Sequence, residues 1–130
     1  MFYWIIFAVL GAIITLVLHE SSHALCIIAA PKAKIEKGGF KPWPHKFNGT
    51  FYFGSVRYTG DMGNMGPISQ LAPFIKALIM IPLWMGMTIL WWQLFPLLVW
   101  EAIDALWWWR GWLCKKAVSD GGKLRKMIYG

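Results

Sequence analysis

Acidic side chains are scarce in this sequence: six Asp and Glu stand against 13 Lys and Arg in 130 residues, a formal net charge of +7. Charged residues of both signs make up only 15% of the chain, while 58% is hydrophobic and the mean hydropathy is +0.49. That balance excludes a soluble domain and reads as an integral membrane protein. Cysteine is nearly absent, and Cys26 and Cys114 match neither a metal-ligand spacing nor a disulfide framework, which leaves two packing thiols. The N-terminal run lacks a basic leading region and a small-residue cleavage site, so it is expected to be a retained span rather than a signal peptide. No repeat or low-complexity tract is present, which excludes a solenoid. Polar residues are few in the later apolar stretches, which argues against a channel or transporter subunit.

What is present is long apolar sequence broken in two places. The first run covers residues 3–30 and stops at Pro31. A loop over 31–66 follows, rich in lysine and glycine, and Asn48-Gly49 within it carries the signature of a tight hairpin. Phe51, Phe53 and Tyr58 then suggest an aromatic β-ribbon against the membrane surface. The next apolar stretch is too long for one crossing, and Pro96 divides it into spans over 68–95 and 96–113. A basic tail occupies 114–130.

The reading is an all-α polytopic membrane protein, a single domain over 1–130 with about three transmembrane helices. A short cytoplasmic β-hairpin loop joins the first two. Six basic residues lie between Lys32 and Arg57 and six between Arg110 and Lys126, with Lys76 alone in between. Basic clusters flanking apolar spans point to membrane lipid as the partner and not to nucleic acid. Three crossings put both clusters on one side, which the positive-inside rule makes cytoplasmic, with the N-terminus outside. The expected location is a bacterial inner membrane.

Inside the first span sits Leu18-His19-Glu20-Ser21-Ser22-His23-Ala24-Leu25. Ionisable groups in an apolar run are costly unless compensated or used. His19 and His23 are four apart and share a helix face, with Glu20 beside the gap. This is the H-E-x-x-H arrangement of two zinc ligands and a carboxylate that activates water. A third ligand must come from elsewhere, and His45, Glu36, Asp61, Glu101, Asp104 and Asp120 are the candidates. Asp104 matches the histidines in depth below the cytoplasmic end of its span. Glu101, three residues before it, would support it, or the two would pair with Lys76 or Arg110.

The motif resembles that of the site-2 proteases, polytopic zinc metalloproteases that cut within the membrane. Gly66-Pro67 is similar to that family's Gly-Pro segment, and Asp120-Gly121-Gly122-Lys123-Leu124 to its Asp-Gly-Gly-Arg-Leu. The resemblance implies zinc held by His19, His23 and an aspartate, catalysis by Glu20, and a membrane-protein substrate. It makes Asp120 a rival to Asp104 as third ligand. The family's Asn-x-x-Pro element has its nearest match in Gln93-Leu94-Phe95-Pro96, close to Asp104 and far from Asp120. The chain would be a near-minimal member.

A competing reading keeps the helices and drops the chemistry. Ten tryptophans, with Trp107, Trp108, Trp109 and Trp112 spread around one helix, suit a small non-catalytic subunit of a larger membrane complex. In that case a histidine would serve as axial ligand to haem or a chlorophyll-type pigment.

Overall fold

The computed structural model describes residues 2–115 and 119–129. Lys116, counted above in the basic tail, lies outside them. Helix α1 (Phe2–Ala29) leads into strands β1 (Lys32–Lys41), β2 (His45–Phe47), β3 (Thr50–Tyr52) and β4 (Ser55–Asp61). Helix α2 (Met65–Leu90), a short 3-10 turn (Trp92–Leu94), α3 (Phe95–Cys114) and α4 (Asp120–Tyr129) complete the order. The protein is mostly helical.

Helices α1 and α2 are each long and apolar enough to cross a membrane; α3 is shorter, at 20 residues. Many large apolar side chains of the long helices are exposed, and four polar ones are buried among a core that includes Ile27, Leu97 and Trp108. Ile5, Ile6, Val9, Ile13, Leu78, Ile79, Leu83 and Leu106 face outward, while Thr15, Glu20, Ser69 and Glu101 are buried.

The three long helices pack together with α1 parallel to α3 and α2 antiparallel to both. The indole of Trp100 donates to the carbonyl of Ala8 at 2.8 Å, and that of Trp108 to the carbonyl of Gln70 at 2.8 Å. Pro73 lies one turn further along α2 and leaves the Ser69 carbonyl, four residues back, without its intrahelical donor. Phe74 and Trp108 stack at 4.5 Å between ring centroids, and Trp112 continues the stack at 5.9 Å from Trp108. Part of the tryptophan content is therefore spent on holding α2 to α3.

Between α1 and α2 the chain forms two separate two-stranded antiparallel sheets, β1 with β4 and β2 with β3. The expected hairpin is the second of these. Asn48 and Gly49 take positive φ of 50° and 79°, the conformation that a two-residue turn demands and that Asn and Gly tolerate best. The first sheet was expected only on its β4 side, where Tyr58 belonged to the aromatic ribbon; Lys32–Lys41, rich in lysine and with two adjacent glycines, read as loop. Its register skips between Ile35 and Phe40, where a bulge absorbs those glycines. The sheet is anchored by Cys26, Ile27, Ala30 and Met62, packed with Ile35 and Val56 at the ends of α1 and α2.

Two boundaries differ from expectation. The span expected to end at Phe95 ends at Leu90, and Trp91 is extended. Pro96 sits in the first turn of α3, where its missing amide costs nothing, so it marks the start of a helix rather than the end of the preceding one. The second difference is in the tail, where the expected basic extension contains α4. Ser119 caps that helix by accepting from the amide of Gly122 at 3.1 Å. Arg125 returns to the end of α3, donating to the carbonyl of Trp112 at 2.9 Å. These contacts fold the tail back along α3.

Candidate metal centre

Two helix geometries build the centre. On α1, the four-residue spacing sets His19 and His23 edge to face with ring centroids 5.2 Å apart, on the side of α1 that meets the other helices. On α4, Asp120 is the first helical residue, and its approach depends on two glycines. A methyl group on Gly121 would collide with the Trp108 carbonyl oxygen, and one on Gly111 with Ser119. Only bare backbone lets α4 come close enough to α3 for Asp120 to reach the histidines.

At the centre, Asp120 Oδ2 lies 2.9 Å from His19 Nε2 and 3.0 Å from His23 Nε2. The far side of each imidazole is also held. His19 Nδ1 is 2.9 Å from Asp104 Oδ1, and His23 Nδ1 is 3.2 Å from Ser69 Oγ. Both rings thus have Nδ1 engaged by an outer partner and Nε2 turned toward one shared point. Ligating histidines characteristically show this division of labour, the outer acceptor fixing tautomer and orientation.

His19, His23 and Asp120 form a group able to hold a metal ion, with candidate ligand atoms all within 4.8 Å of one another. A tetrahedral zinc with ligands about 2.1 Å away sets neighbouring ligand atoms about 3.4 Å apart. The Asp120 oxygen, at 2.9 and 3.0 Å from the two Nε2 atoms, is closer to both than that, so an ion entering the group would push the carboxylate back by about 0.5 Å.

Charge points the same way. Glu20, Glu101, Asp104 and Asp120, four of the chain's six acids, converge here. Among the described residues, Lys76 is the one lysine or arginine that pairs with them, 2.8 Å from Glu101 and 2.7 Å from Asp104. Four carboxylates against one ammonium and two histidines make a site that favours further positive charge, supplied by protonated imidazole or by a divalent cation. Burial alone would raise the Asp120 carboxyl; its hydrogen bonds from His19 and His23, and their charge, outweigh burial and hold it well below the usual carboxylate range.

Glu20 is buried at 5% exposure, with Oε1 3.9 Å from His19 Nε2. The turn between β3 and β4 lies on it: a methyl group on Gly54 would be 2.9 Å from Glu20 Oε1. The sheet region therefore covers the carboxylate beside the ligand group.

The structure brings together His19, Glu20, His23, Asp104 and Asp120, but in different places. Asp120 joins the two Nε2 atoms; Asp104 stands behind His19 and bridges it to Lys76. Glu101 is fully buried and pairs with Lys76, as one of the two sequence readings had it. His45 contacts Trp43 and Ser55, and Asp61 accepts from the Gly63 amide, both outside the group. Ser69 was missed, and a lone serine in an apolar helix gives no signal. Lys76 carried one, as the single charge within its span. No family model, curated protein or solved structure matches this chain.

Proposed function

We propose that the chain is a zinc-dependent intramembrane metallopeptidase of the site-2 protease kind, with His19, His23 and Asp120 as ligands and Glu20 as general base. The observation that carries this reading is the convergence of both Nε2 atoms on one oxygen of Asp120, with a further carboxylate alongside. On this reading α1, α2 and α3 all cross the membrane, with the sheets and α4 on the cytoplasmic side. The inward-facing polar residues and outward-facing apolar ones support it.

A zinc ion bound here would supply a Lewis acid that acidifies water at neutral pH. Glu20 takes the proton as the water oxygen bonds to the scissile carbonyl carbon, then delivers it to the nitrogen as the C–N bond breaks. Asp104 and Ser69 keep the imidazoles in register throughout. The substrate is an unwound segment of a membrane helix, since an intact helix hides its carbonyls in its own hydrogen bonds. Open strand edges leading to Gly54 offer such a segment pairing next to Glu20. The tetrapyrrole alternative is less favoured, because a carboxylate oxygen within 3.0 Å of both Nε2 atoms leaves no room for a macrocycle over either ring.

The test is cleavage of single-span peptides with a helix-breaking segment near the cytoplasmic interface, in liposomes containing the purified protein and zinc. Wild type should cut them; Glu20→Gln should bind zinc equally and cut nothing. Equal cleavage by both proteins would remove Glu20 as the base.

A further inference from the structure

A half-buried lysine inside an apolar helix needs a reason. Lys76 is 11% exposed and sits on α2, yet its ammonium serves α3. It donates to Glu101 Oε2 at 2.8 Å and to Asp104 Oδ2 at 2.7 Å. Those two carboxylates are one turn apart on α3, and Glu101 is also reached from α1 by the Thr15 hydroxyl at 3.5 Å. Asp104 then meets His19 Nδ1, at 2.9 Å through Oδ1 and 3.2 Å through Oδ2. One cation thereby ties all three long helices to the back of a candidate ligand.

We propose that Lys76 is a positioning residue for the metal centre: by holding Asp104 against His19 Nδ1 it fixes the ring with Nε2 directed at the ion. This rests on the metal-binding reading above. The geometry gives the reason. A carboxylate rotates about its bond to the chain unless its oxygens are separately engaged. Lys76 engages Oδ2, which leaves Oδ1 as the nearer acceptor for the imidazole and defines the plane in which the ring lies. Glu101 in turn fixes the ammonium, so the whole relay from Thr15 to His19 is anchored in the packed interior. Without the lysine, two carboxylates one turn apart repel each other, and nothing holds Asp104 in that plane.

A purely structural role for Lys76, clamping α2 to α3, predicts lower stability with unchanged metal affinity in the folded protein. A positioning role predicts a change in affinity itself. The experiment is zinc competition against a calibrated chelator, with the full chain in detergent micelles. Outer partners of metal-bound histidines typically contribute about 10- to 100-fold in affinity. Lys76→Met and Asp104→Asn should each weaken zinc by about that factor, and the double variant by no more than the stronger single one, since both act on one hydrogen bond. Lys76→Arg should restore part of the loss. If the methionine variant does not fold, Lys76→Gln, whose amide keeps two N–H donors but no charge, carries the test with an expected loss of about tenfold. Unchanged affinity in a folded Lys76 variant, or additive losses in the double variant, overturns the proposal. Wild type that binds no zinc would instead overturn the metal reading beneath it.

Discussion

Replacing Gly121 with alanine tests the idea that close helix approach delivers the third ligand. The added methyl group would collide with the Trp108 carbonyl oxygen and stand 2.9 Å from the Trp112 nitrogen, both backbone atoms that cannot swing aside. Restoring ordinary contact requires α4 to withdraw by about 1.3 Å, a strain of roughly 1–3 kcal/mol if it stays docked. Asp120 is the adjacent residue, and its 2.9 and 3.0 Å contacts do not survive a shift of that size. Zinc affinity should fall by about 10- to 100-fold or more, comparable to losing an orienting partner. The sign is informative. With no close approach, alanine would stabilise the helix by about 0.5–1 kcal/mol through propensity alone. Gly86→Ala in α2, where nothing lies within 4 Å of the added carbon, is the matched control. Chelator competition reads the affinity, and circular dichroism in the same micelles confirms that the helices persist. An alanine variant at 121 that binds zinc as tightly as wild type would refute the reasoning.

Two further outcomes follow from the same geometry. Gly54→Ala pushes a methyl group against Glu20 Oε1 while leaving the histidines alone, so zinc binding should persist and cleavage drop by on the order of 10- to 100-fold; unchanged cleavage counts against Glu20 as the base. Trp108→Phe keeps a ring in the stack with Phe74 but loses the 2.8 Å bond to the Gln70 carbonyl. It should cost about 1 kcal/mol in unfolding by denaturant in mixed micelles, and an unchanged midpoint would show that the bond contributes nothing.

The parts of the fold legible in the sequence were those with a local rule. Four-residue spacing put His19 and His23 on one face, Asn48-Gly49 announced its turn, and Pro96 marked a break, although the helix before it stops at Leu90. What stayed hidden depends on contacts distant in the chain. Depth along α3 placed Asp104 level with the histidines, but depth does not say which ring nitrogen a carboxylate meets; it meets Nδ1 of His19, away from the shared point. Helix α4 was masked because Gly121-Gly122 lowers helix propensity in its first turn, and Gly121 is one of the glycines that permit docking against Trp108. Strand β1 reads as a charged loop until its partner β4 is known. Local propensity and tertiary need conflict at these positions.

The central claim is a metal centre completed by a residue from the folded-back tail. Metal analysis of the purified protein, after zinc loading and removal of free ion, tests it most directly. The account predicts about one zinc per chain in wild type, retention with weaker hold in Asp104→Asn, and loss in Asp120→Asn and His23→Ala. Wild type without zinc, or Asp120→Asn that holds zinc as tightly as wild type, would contradict it.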